Sequence, residues 1–117
     1  MSDLSLAFVQ SVCRTLPGAE VSDPWGKGID AWKVGGKIFA LANAKSEGVS
    51  LKTDSIETAQ MLIEVGVGVK APYMHRSWVS LPFDAAEDEL RYRLIVSYTL
   101  VRAGLPKKAQ AALGPLE

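Results

Sequence analysis

Apolar residues recur along this chain with two different periods, and the switches between them divide it into elements. Near the start, Leu4, Phe8 and Val12 with Leu6, Val9 and Cys13 follow helical spacing until Pro17-Gly18 stops the pattern. This predicts a first helix over residues 3 to 15, with Ser2 or Asp3 as its cap. The next third changes to the period of a strand. "AEVSDPWGKGI" predicts a short strand broken by a Pro-Trp-Gly turn. "AWKVGGKIFALA" predicts two apolar strands joined by Gly35-Gly36, a dipeptide that supplies the positive φ angles of a two-residue hairpin. That turn sets Trp32 opposite Phe39 and Val34 opposite Lys37. "GVSLKT" then points Val49 and Leu51 inward against Ser50 and Lys52 outward.

Helical spacing returns after Asp54 or Ser55, a cap for the stripe Ile56, Ala59, Leu62 and Ile63, which "GVGV" ends. "SWVSLPF" predicts a strand in which Pro82 suits an edge or the strand's end. Asp84 with Glu87 is spaced as a capping box, after which Leu90, Leu94, Ser97, Tyr98 and Val101 keep the helical period up to Gly104 and Pro106. The tail "KKAQAALGPLE" is expected to add a short helical turn or to fray. No repeat, low-complexity segment or linker divides the chain, so residues 1–117 are expected to form a single domain. The order helix, four strands, helix, strand, helix predicts an α+β fold of two layers, an antiparallel sheet with helices on one face.

Composition narrows the function. A length of 117 residues with 48% hydrophobic content fits one globular domain. Thirteen basic and thirteen acidic residues balance, so any site for a polyanion must be a local patch. Cys13 stands alone, which excludes a disulfide within the chain and suits a reducing cytoplasm. "MSDLSLAFVQ" carries an early acid in place of a basic leader, and no uncharged apolar run approaches about 18 residues. Neither secretion nor a membrane partner is expected.

Candidate catalytic groups are few. His75, the one histidine, sits in "KAPYMHRSWVSL" between Met74 and Arg76, and the nearest acids downstream are Asp84 and Glu87, already assigned to a helix cap. It reads as a surface or half-buried residue on the approach to a strand. Cys13 lies toward the far end of its helix, away from the cationic setting that activates a thiol, and reads as a small buried hydrophobe. "GVGVK" at 66 to 70 lacks a Gly-Lys-Ser/Thr and a strand-to-helix context, so it reads as a helix stop and loop. One histidine and one cysteine 62 positions apart make no metal set. Neither enzymatic activity nor a cofactor is expected. The basic residues say more: between Gly26 and Thr53, Lys27, Lys33, Lys37, Lys45 and Lys52 face only Asp30 and Glu47. Acids in "DAAEDEL" are explained by the dipole of the helix they open. With Lys70, Arg76 and Trp25 or Trp78 nearby, such a hairpin can grip phosphate and stack on a base. Outward lysines equally serve to keep strand edges soluble.

"LPGAEVSDPWG", "WKVGGKIFALA", "VSLKTD", "RSWVSL" and "SYTLVRAGLPKK", in this order and spacing, resemble the MmcQ/YjbR family, small bacterial proteins with a fold related to secretion chaperones and frataxin-like (CyaY-like) domains. The likeness covers nearly the whole chain and rests on the set, above all Gly35-Gly36-Lys37, Arg76-x-Trp78 and Ser97-Tyr98. Trp25 departs from the phenylalanine expected after the proline. The resemblance implies DNA binding by a "double wing" of sheet and hairpins. Carried over, that role falls to Lys33 and Lys37 on the hairpin, Lys52 on the next strand, and Arg76 with Trp78 at the later strand. Lysine contacts to phosphate give affinity with little sequence preference. Trp78, directly before alternating Val79 and Leu81, weighs toward packing. Two rival readings stand beside DNA: a protein-interaction module using the sheet face, and a small-molecule-binding domain with a pocket lined by Tyr73, His75 and Tyr98. A cytoplasmic monomer is expected.

Overall fold

The first apolar period folds as helix α1, Ser2–Arg14, which buries Val9, Val12 and Cys13, in a computed structural model that describes residues 2–23, 29–43, 48–72 and 74–115. The helix already includes Ser2 and Asp3, the two positions expected just before it. Strands β1 (Glu20–Ser22), β2 (Ile29–Val34), β3 (Lys37–Asn43) and β4 (Gly48–Lys52) follow, then α2 (Ile56–Glu64), β5 (Val69–Lys70), β6 (Trp78–Pro82), α3 (Glu87–Ala103) and α4 (Lys107–Leu113). This is the anticipated α+β order with two short additions, β5 and α4. β5 arises inside "GVGVK" because Gly68 lets the chain lie flat on β6: a Cβ there would stand 2.5 Å from Val79 Cγ2.

All strand pairs are antiparallel, in the order β1-β2-β3-β4-β6-β5. Partners across a ladder share a face, so Val49 with Leu81 and Leu51 with Val79 point into the core while Ser50 with Ser80 and Lys52 with Trp78 point the other way. One core cluster joins the inward face to α1, to Leu62 of α2 and to Leu90, Leu94, Tyr98 and Val101 of α3. Pro82 closes β6 at its end, where a missing N–H costs no rung. Ser55 caps α2, its hydroxyl accepting from the Thr58 N–H at 3.0 Å.

Three further expectations give way. Ile63 leaves the apolar stripe of α2 and is exposed, since Ala59 and Leu62 alone of that helix are buried. The capping box does not form: α3 begins at Glu87 behind Ala86, without a side-chain cap, and Glu87, Asp88 and Glu89 in its first turn complement the dipole instead. The third concerns the hairpin. Gly35 and Gly36 have φ of 58° and 81°, as a tight two-residue turn requires, and Val34 pairs with Lys37. Trp32, however, pairs with Ala40 rather than Phe39. Phe39 is the extra residue of a β-bulge, which turns its ring into the core edge-on to Tyr98 at 5.3 Å and 89°.

The bulge has a partner on α3. The β3–β4 ladder runs to Ala40 and Leu51, and its next rung would join the Lys52 N–H to the Phe39 C=O. Instead the Lys52 N–H donates to the Ser97 hydroxyl at 2.9 Å, and that hydroxyl donates to the Phe39 carbonyl at 2.6 Å. One side chain thus replaces a rung, satisfies two backbone groups and fixes α3 to the sheet. Beside it, Tyr98 is fully buried, its hydroxyl donating to the Pro17 carbonyl at 2.5 Å and accepting from Arg102 at 3.1 Å. Each buried aliphatic side chain contributes about 1.5–3 kcal/mol, so the core survives loss of one bridge. Ser97→Ala is expected to stay folded but to lose about 2–3 kcal/mol of stability, because two backbone groups lose their partner. Urea unfolding measures this, and a loss below about 0.5 kcal/mol would contradict the bridging role.

Candidate functional site

Residues three, four and seven positions beyond Ser97 lie on its side of the helix, and these are Leu100, Val101 and Gly104. Where Ser97 stands between β3 and β4, the three form one wall of a cleft of about 540 Å³. Lys33, Gly36, Lys37 and Ile38 of the β2–β3 hairpin make another side, and Lys52 and Trp78, where β4 meets β6, complete it. Four of the five residues expected at the site, Lys33, Lys37, Lys52 and Trp78, are therefore brought together. Trp78 is 9% exposed, so it packs as anticipated while also lining the cleft.

Arg76 is not among the lining residues; it is exposed in a turn closed by the Trp78 N–H donating to the His75 carbonyl at 2.8 Å. The imidazole holds the same turn. The Ser77 N–H donates to His75 Nδ1 at 3.1 Å and the Ser77 hydroxyl lies 2.9 Å from that nitrogen. Thr53 then donates its N–H and its hydroxyl to the Ser77 carbonyl, at 2.8 and 2.7 Å. These bonds clamp the end of β4 to the start of β6, which sets Lys52 beside Trp78. Tyr98, inside the core, and His75, exposed in this turn, are not among the residues lining the cleft. Tyr73 lies outside the described residues, as do Trp25, Lys27, Lys45, Glu47 and the Pro-Trp-Gly turn.

Electrostatics favour an anion in the cleft. Among the described residues the ion pair is Arg93–Glu89 at 2.9 Å, and no carboxylate pairs with Lys33, Lys37 or Lys52. Glu20 is the cross-strand partner of Lys33 without closing to an ion pair. The acids of α3 open that helix, roughly 20 Å from Leu100 at the rise of an α-helix. The C-terminal end of α3 brings only about half a negative charge. Arg102, in the last turn of α3, sets a positive charge against that end while its guanidinium donates to the carbonyls of Gln110 and Gly114. Three ammonium groups outweigh that end. Among the described residues, no three His, Cys, Asp or Glu side chains are placed to hold a metal ion, and no helix is long and apolar enough to cross a membrane.

Sequence reasoning missed Ile38, Leu100, Val101 and Gly104. The available signal was Ser97, a polar residue on the inward stripe of α3, which marks where a helix gives the sheet a hydrogen bond in place of an apolar contact.

An antiparallel sheet backed by helices and notched by a lysine-lined cleft defines the architecture. The chain belongs to the YjbR family, whose model matches residues 14–100. Its structure is similar to the crystal structure of Deinococcus radiodurans protein DR2400, of the domain family DUF419, with 25% identity, a TM-score of 0.81, and coverage of 92% of this chain and 86% of that chain. No curated protein matches significantly.

Cys13 stands apart from the cleft. Burial, and secondarily the charge of Asp30, pushes its thiol up from 9.0 to about 12. The folded chain thus holds this proton more tightly than the unfolded chain, and the thiol costs stability only as pH rises from about 9 toward 12. Unfolding free energy is expected to fall across that window more steeply in the wild type than in Cys13→Ala. Parallel curves for the two proteins would contradict the assignment.

Proposed function

We propose that this protein binds nucleic acid, DNA in the first instance, as a non-enzymatic and monomeric domain, through phosphate contacts from Lys33, Lys37 and Lys52. The observation that supports this reading is the convergence of three lysines, without carboxylate partners among the described residues, beside Trp78 in one cleft of a chain with no net charge. Because the whole molecule supplies no attractive field, affinity comes from these few contacts. Sequence-independent binding with dissociation constants of about 10⁻⁴–10⁻⁶ M is the expected range. Fluorescence anisotropy of labelled DNA at several salt concentrations tests it. Lys37→Glu, at an exposed position, is expected to weaken binding about tenfold and to flatten the log–log salt slope by about one, with an unchanged thermal midpoint. Arg76→Glu, outside the cleft, is expected to do much less. No binding at low salt, or equal binding by Lys37→Glu, would overturn the reading.

A protein-interaction module is the second reading, and a different observation favours it. Met61, Ile63, Val65 and Val69 are exposed, the last two at 64% and 61%, on or beside α2 and the edge strand β5. This apolar surface lies along the sheet's edge rather than on the sheet face. Under this reading Val65→Lys with Val69→Lys abolishes capture of a nuclease-resistant protein partner, and capture unaffected by the pair counts against it.

A further inference from the structure

The cleft holds more than phosphate recognition requires. Three ammonium groups suffice for an anion, yet Ile38, Trp78, Leu100 and Val101 add an apolar wall facing the same space. Ile38 and Leu100 are only half buried, so part of their surface is open to a ligand. We infer that the cleft takes single-stranded rather than duplex nucleic acid, with backbone phosphates on the three lysines and a base laid against the Ile38–Trp78–Leu100 wall. This rests on the nucleic-acid reading above.

Shape argues against a duplex. Reading paired bases needs an element that protrudes into a groove about 12 Å wide, whereas this site is a recess. The hairpin that would act as a wing ends in Gly35-Gly36 and carries no side chain at its tip to meet a base edge. In a duplex the bases are stacked and paired, so only backbone phosphates could approach, and the apolar wall would stay empty. A single strand can turn a base outward onto an apolar or aromatic surface. The cleft volume of about 540 Å³ also falls within the range of about 300–1,000 Å³ that small-molecule sites occupy, enough for one nucleotide unit.

The test is fluorescence anisotropy of the full chain with three labelled probes of equal length: oligodeoxythymidine, a duplex, and an abasic deoxyribose-phosphate oligomer. Oligodeoxythymidine is expected to bind at least about fivefold tighter than the abasic oligomer, the lower range for one base contact, and tighter than the duplex. Its log–log salt slope is expected near −2, as three phosphate contacts on a single strand give. Leu100→Ala is expected to remove most of the preference for oligodeoxythymidine over the abasic oligomer. Equal binding of the thymidine and abasic probes, or tighter binding of the duplex, overturns the inference and leaves phosphate binding standing. If none of the three probes binds at low salt, the nucleic-acid reading itself falls, and this inference with it.

Discussion

One hydroxyl group decides where the sheet of this protein stays closed and where it opens. Ser97 takes the N–H of Lys52 and gives its own proton to the carbonyl of Phe39, so helix and sheet are joined at the point where two strands would otherwise pair directly. The Phe39 bulge and the Ser97 bridge depend on each other: the extra residue disturbs the regular ladder, and the hydroxyl satisfies the groups left over. Beyond that point the inward face of α3 no longer meets a continuous sheet. Its next turns, through Leu100 and Val101 to Gly104, face the cleft instead.

The same architecture holds the cleft's two rims. On one side Thr53, Ser77 and His75 lock the junction of β4 and β6 through a short hydrogen-bond network. On the other, the hairpin tip lies under the link between α3 and α4. A Cβ on Gly35 would stand 2.6 Å from the Leu105 side chain, which would have to move, and the positive φ there disfavours any larger residue. Arg102 and Tyr98 tie α4 and the end of α1 into the same structure. The lysines therefore project from fixed elements. Held together without acidic partners among the described residues, they form a local basic patch on a neutral molecule, whose attraction for an anion acts at short range rather than by long-range steering.

Much of the fold was legible in the sequence because local rules acted without conflict. The glycine pair dictated the tight turn, Ser55 dictated the start of α2, and the stripe Leu90, Leu94, Ser97, Tyr98 and Val101 coincides with the buried positions of α3. What escaped depended on partners distant in the chain. Nothing near Phe39 announces a bulge, since the serine that satisfies it lies 58 residues away. Strand β5 owes its existence to Gly68 lying against β6, and Ile63 is left outside because α2 buries a narrower stripe than periodicity alone suggests. The charged side of the cleft was readable as a lysine-bearing hairpin and strand. Its apolar wall was not, because Ile38 and Leu100 look like ordinary core positions until the strands are seen to part. Arg76, adjacent in sequence to the site, is turned out of it by the His75–Trp78 turn.

If the opening made by Ser97 binds single-stranded nucleic acid, a titration followed by two-dimensional amide NMR will locate the contact. Adding oligodeoxythymidine to the labelled protein is predicted to shift the amides of Gly36, Lys37, Lys52 and Leu100 and the indole of Trp78, while Met61 to Val69 stay in place. Shifts gathered instead along α2 and β5, or spread without focus while the cleft residues remain still, would contradict the account.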